Sequence, residues 1–314
     1  MGIFIRSLRW MGVIAACAAY AVIGEAADVN KAPGDNKSSV VIEGTIQDGD
    51  CDKLLALVRK SSPRAVYLAS PGGNVREAMR MGRLVRALKL ATIAPAKRGG
   101  ELRAQQAADF GVKNPNENLM CASACFFVFV AGVLRNQDYT FGSPLLGIHR
   151  PYLSDSDLKG LSVDRTMETA TRTRAIVESY LREMSVRPIY ADQMFSIPKE
   201  QVYWIPSTQF RSDFAGLLPE LEEWINVHAQ EVLDRVKQTD TSKFSPDAEE
   251  FSKWLIETLS DPDRREAFVL GDLQLDAWKK LVGASGTPSV LDAPGIFDVP
   301  EDPPGVAKTP FCRN

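Results

Sequence analysis

The chain has 314 residues, with 37 Lys and Arg against 40 Asp and Glu, and only two histidines, His149 and His228. A formal charge of −3 without a basic stripe excludes a nucleic-acid footprint. The cysteines have no histidine nearby and no carboxylates clustered with them, which argues against a metal site, and no cofactor is expected.

The first residues read as a targeting segment. Arg6 and Arg9 make a short basic region, and residues 10–23 are apolar apart from the Tyr20 hydroxyl. Gly24-Glu25-Ala26-Ala27 offers small residues around a cut, most simply after Ala26. Residues 1–26 are therefore read as a signal peptide, and the protein as periplasmic or secreted. A retained anchor and lipidation at Cys17 are the alternatives. The apolar run is short for a membrane span, and no later stretch is long enough. Loss of Arg6, Arg9 and Glu25 leaves a mature charge of −4. Export implies an oxidising compartment, so Cys51, Cys121, Cys125 and Cys312 can pair. Four cysteines allow three pairings, and the sequence does not choose among them.

After a loose polar lead over 28–37, residues 38–46 alternate in part and predict a strand. Residues 51–60 carry Leu54, Leu55 and Val58 at helical spacing. The apolar run 65–69 predicts a buried strand, broken by Ser70-Pro71-Gly72-Gly73. A helix over 75–88 and a strand over 91–95 follow. This alternation predicts a layered α/β fold with right-handed crossovers. Residues 97–118 are polar and read as an insertion, a rim or lid, helical over 101–110. Residues 122–130 suit a buried helix. Residues 135–141 read as a turn and short strand, and 145–149 as a buried strand ending in His149. A long helix is predicted over 164–184, a connection over 185–198 and a strand over 202–205. Helical periods then recur over 217–236, 251–259 and 264–281. The expected organisation is a main domain over 27–210, a helical region over 211–282 and an extended or disordered tail over 283–314.

Three pieces suggest an acyl-transfer site. Ser123 sits between alanines at a predicted helix start, where it needs a base to become a nucleophile. His149 has the side chain whose ordinary pKa suits that base. Gly72 and Gly73 allow a turn with exposed N–H groups that would stabilise an oxyanion. Asp192 is the leading choice to orient His149, with Asp155, Asp157 and Asp164 as alternatives. His228, near Glu222, Glu223 and Gln230, reads as surface. Each piece alone has an ordinary structural reading: a packed serine, a common turn, a structural histidine.

In that order, the Ser-Pro-Gly-Gly turn, Ala122-Ser123 and Ile148-His149-Arg150-Pro151 resemble the Clp protease and crotonase superfamily, in particular its exported Clp-protease-like members. The resemblance covers residues 38–207. It implies a layered β-β-α superhelical fold with a small helical C-terminal extension. It also implies Ser123, His149 and Asp192 as a triad, Gly73 and Ala124 as oxyanion donors, and Pro71 and Gly72 as support for the turn. Asp192 before Met194-Phe195-Ser196 is the looser match. The insertion has no counterpart in the compact Clp subunit and the C-terminal helices lie outside the resemblance, while the two cysteines beside Ser123, unusual for a cytosolic protease, fit the exported relatives. The partner implied is a peptide or unfolded protein, in a possible homo-oligomer. No ATPase partner is implied. The leading functional expectation is a serine hydrolase of the peptidase type. The alternative is a non-catalytic binding or scaffold protein. A crotonase-like acyl-CoA enzyme is a third reading, disfavoured by the leader.

Overall fold

A computed structural model describes residues 26–36, 38–137, 143–151, 162–198, 200–239, 245–283 and 312. Residues 1–25 of the expected 1–26 leader, the alternatives Asp155 and Asp157, and nearly all of the expected tail lie outside these residues.

The core is a six-stranded sheet. In spatial order it runs β1 (Asp28–Lys31), β2 (Ser39–Glu43), β3 (Ala65–Ala69), β4 (Ala91–Ala94), β6 (Leu134–Gln137) and β9 (Gly216–Leu217). Strands β2, β3, β4 and β6 are parallel, and β1 and β9 are antiparallel edges. Helices α1 (Asp50–Lys60) and α2 (Val75–Ala87) connect the first parallel strands. Asn74 starts α2 by accepting the Glu77 N–H at 3.1 Å, one of the donors that a helix start leaves unpaired. Strands β2 and β3 read as continuous apolar runs because both faces are covered: α1 and α2 lie over one, and α3 (Gly100–Phe110) over the other. On the α3 side Tyr67 stacks on Phe110 with ring centroids 3.6 Å apart. A short helix α4 (Pro115–Asn118) completes the insertion.

The second sheet is small, in the order β5 (Cys121–Ala122), β7 (Leu146–Ile148), β8 (Tyr203–Trp204). Helix α5 (Ala124–Phe129) follows β5 and is buried along its whole length. Helices α6 (Val163–Glu183) and α7 (Ile189–Ser196) precede β8, and α8 (Ser207–Asp213) follows it. Two buried guanidiniums tie these pieces together. Arg86 donates to the Ala131 carbonyl at 2.7 Å and Arg135 to that of Gly132 at 3.2 Å. Both also donate to the Val130 and Met184 carbonyls. Val130 and Met184 cap the C-termini of α5 and α6, where carbonyls lack partners within their own helices. Burial pushes Arg86 down to about 10 and Arg135 to about 9, the latter helped by its neighbour Arg86.

Helices α9 (Pro219–Gln238), α10 (Pro246–Ser260) and α11 (Pro262–Val282) pack around their own cluster of Leu221, Ile225, Leu233, Leu255 and Leu270. They are anchored to the sheet layer by Gln274, which donates to the Arg64 and Lys89 carbonyls at 3.0 and 2.8 Å. Trp278 adds a bond to the Val58 carbonyl at 2.7 Å. Disulfides join Cys51 to Cys312 and Cys121 to Cys125, one of the three pairings the sequence left open.

The expected Clp-protease and crotonase-like superhelix is not present. The described residues are 59% helical and only 16% strand, in two small unclosed sheets. The reason is connectivity. A superhelix of β-β-α turns needs two strands per helix. Here β2, β3 and β4 are each separated by one helix, which builds an open parallel sheet instead. Two local expectations also change. Residues 28–31 are an ordered edge strand, with Val29 opposite Ile42. Within the expected connection, residues 189–196 are helical, with Pro188 at the N-cap and Pro198 just past the end.

Candidate active site

The glycine turn is built where β3 ends. Ser70 bonds across to the second sheet: its N–H donates to the Met120 carbonyl at 2.6 Å, and its own carbonyl accepts from Ala122 at 3.1 Å. Its buried hydroxyl accepts the Gly72 N–H at 3.1 Å. The Gly72 amide is therefore used inside the turn. Among the described residues no acceptor takes the N–H of Gly73, which is exposed, as is Pro71.

Both glycines have φ values closed to other residues, 115° and 134°. Space forbids a side chain as well. A Cβ on Gly72 would lie 2.5 Å from the Ser123 Cβ, 2.8 Å from the Ala122 carbonyl oxygen and 3.0 Å from the Ala124 nitrogen. A Cβ on Gly73 would lie 2.2 Å from the Ile46 carbonyl oxygen. The turn is thus wedged between the 122–124 segment and Ile46, three residues past β2. This brings Gly72, Ser123 and Ala124 together.

Ser123 sits between β5 and α5 at φ 56°, ψ −122°. For a non-glycine residue this conformation costs about 1–3 kcal/mol and persists only where its surroundings impose it. Those surroundings are explicit. The Ser123 N–H donates to Gly147 at 3.0 Å, its carbonyl accepts from Phe126, and the buried Cys121–Cys125 disulfide brackets it. Its hydroxyl caps no N–H of α5. Ala124 is the first residue of α5, so its N–H has no acceptor within the helix.

His149 follows β7, which runs parallel to β5 with Cys121 opposite Leu146 and Ala122 opposite Gly147. Ser123 and His149 therefore leave neighbouring strand ends, and such strands lie about 4.8 Å apart. His149 is half-buried. Burial pushes its pKa below the ordinary 6.5, which favours the neutral imidazole.

Asp192 lies on α7 with its side chain 66% exposed, bound by the Arg174 guanidinium of α6. Arg174 also holds Glu178 at 2.8 Å and covers the Phe195 ring at 5.4 Å. The same helix touches the histidine's neighbour, since Arg150 Nε donates to the Phe195 carbonyl at 2.9 Å. Asp164 is exposed in the first turn of α6. His228, expected at the surface, is half-buried on α9, stacked on Trp224 at 4.0 Å with Nδ1 2.8 Å from the Trp224 carbonyl oxygen.

Against known proteins, no family model matches the sequence and no curated protein matches it. The overlap with solved structures is weak. A mutant of the 1510-N membrane-bound stomatin-specific protease is 15% identical, with 60% of this chain and 80% of that chain covered and a TM-score of 0.36. A ClpP1 mutant from Listeria monocytogenes is 15% identical over 56% and 86% of the two chains, at 0.36. A second 1510-N mutant, in complex with a substrate peptide, is 17% identical over 60% and 78%, at 0.35. The overlap is distant and assigns no family.

Three contributors escaped the sequence reading. Gly147 supplies the carbonyl that fixes Ser123, Ile46 clamps the glycine turn, and Arg174 holds Asp192. Only Gly147, a glycine inside an apolar strand, left a local signal. Among the described residues no group of three or more His, Cys, Asp or Glu is placed to hold a metal ion, and no helix is long and apolar enough to cross a membrane.

Proposed function

We propose that this is an exported binding or scaffold protein, in which Ser123, His149 and the glycine turn receive an extended peptide or unfolded segment, with Asp192 held by Arg174 instead of serving the histidine. The observation that carries this reading is Asp192: its carboxylate faces solvent and is neutralised by Arg174. The unshared Gly73 N–H and a neutral imidazole are suited to hydrogen-bonding a peptide backbone. The anchored helices α9–α11 add a second surface for a partner. The test is fluorescence polarisation with a set of unstructured peptides, alongside a fluorophosphonate probe. Saturable binding that Ser123→Ala retains, with no labelling of the folded, oxidised protein, is the expected result. Labelling of the wild type that Ser123→Ala abolishes overturns it.

That second outcome defines the rival reading, a serine hydrolase of the peptidase type. One observation favours it, the imposed backbone of Ser123, because strained conformations gather at sites of chemistry. Ser123 would attack the scissile carbonyl, His149 would accept its proton and return it to the leaving amine, and the Gly73 and Ala124 N–H groups would take the oxyanion. For Asp192 to orient His149, it would have to leave Arg174.

A further inference from the structure

Ala27 is nearly the first described residue, yet it is only 1% exposed and belongs to the main core. Its N–H donates to Asp50 Oδ2 at 3.2 Å. Asp50 is fully buried at the start of α1, and a buried carboxylate needs both a cation and donors. It accepts the Gln47 N–H at 2.8 Å. Its other oxygen meets Lys53 Nζ at 2.7 Å, and the same ammonium reaches the Ala27 carbonyl at 3.2 Å. The Lys53 side chain is 48% exposed, so water shares its charge. The bond just before Ala27 is also where the sequence places a leader cut, with Gly24 and Ala26 as the small residues three and one before it.

We propose that the Ala26–Ala27 bond is the processing site of this chain, and that the ammonium released on Ala27 is received by buried Asp50 as a structural ion pair. A leader peptidase adds water across the bond. The Ala26 carbonyl carbon gains the hydroxyl and departs as a carboxylate, the C–N bond breaks, and the Ala27 nitrogen takes up protons to become an ammonium. One neutral donor becomes a charged group with three. Charge-assisted hydrogen bonds are roughly twice as strong as neutral ones. The effect reaches the candidate site through the backbone. Asp50 also fixes Gln47, and Ile46 just before it is bonded on both sides of the glycine turn, to the Gly72 carbonyl at 2.8 Å and the Asn74 N–H at 2.8 Å. The cut therefore tightens the 72–73 turn, whether Ser123 binds or reacts.

The test begins with the intact mass of the exported protein, which should start at Ala27. Two chains are then made from removable fusions, one beginning at Ala27 and one carrying a single extra glycine before it. The first should melt about 2–4 °C higher, with severalfold slower amide exchange at 72–74. In an Asp50→Asn background the two should melt together. A mature protein starting elsewhere, or equal melting of the two chains with Asp50 intact, overturns the proposal. If Asp50→Asn fails to fold, the comparison between the two N-termini decides alone.

Discussion

Gly72→Ala tests the wedge that links the glycine turn to Ser123. Two costs add. Alanine at φ 115° is strained by about 1–3 kcal/mol. Its Cβ would also meet Ser123 Cβ at 2.5 Å, Ala122 O at 2.8 Å and Ala124 N at 3.0 Å, atoms on or next to the backbone that no rotamer change moves aside. Forcing them apart costs about 1–3 kcal/mol more. The expected loss is about 2–6 kcal/mol, a large share of the roughly 5–15 kcal/mol that holds a domain folded. Gly34→Ala is the control. It has φ 59° and open space around its Cβ, so it carries only the conformational cost of about 1–2 kcal/mol. Urea denaturation of both variants gives the difference as a shift in midpoint at unchanged slope. If Gly72→Ala loses no more than Gly34→Ala, the turn does not press on the Ser123 backbone and the site is built differently.

Three further outcomes are expected. The His149 ring, followed by NMR, should titrate below 6.5. Because burial lowers the folded value, the unfolded chain binds more protons as pH falls from 7, so stability declines through 6.5 and levels off below the folded value; His149→Gln should remove that decline. Asp192→Asn should leave the His149 midpoint unmoved and change stability by less than about 1 kcal/mol, since it breaks only an exposed pair with Arg174; a clear shift of the midpoint would show that Asp192 serves the histidine after all. Gln274→Leu strips the donor from two carbonyls at the junction with α11 and should cost about 1–3 kcal/mol in thermal or chemical denaturation.

Local chemistry made parts of this molecule readable. Residues 65–69 are the strand the apolar run predicts, and Pro71-Gly72-Gly73 ends it. The helix from Val75 starts as its periodicity indicates. Ser123 does precede a helix, and an apolar strand, ending at Ile148, does lead into His149. Long-range pairing was not readable. Nothing near Asp192 in the sequence announces Arg174, eighteen residues earlier on another helix. Pro188 and Pro198 look like breakers of a connection, whereas they flank a two-turn helix. The family-like order of motifs suggested a superhelix, but that order is equally compatible with an open parallel sheet. What separates the two is the number of strands between helices, and the 97–118 insertion adds helix where a second strand would be needed.

The shared grip of Arg86 and Arg135 on Val130 and Met184 has a mechanical consequence. It welds the last turns of α5 and α6 into one corner, so neither end can slide without stripping donors from buried carbonyls. At its other end the short, rigid α5 carries Ser123. A pull on α6 by any neighbour would thus be felt as torque on that serine, seven residues before the corner.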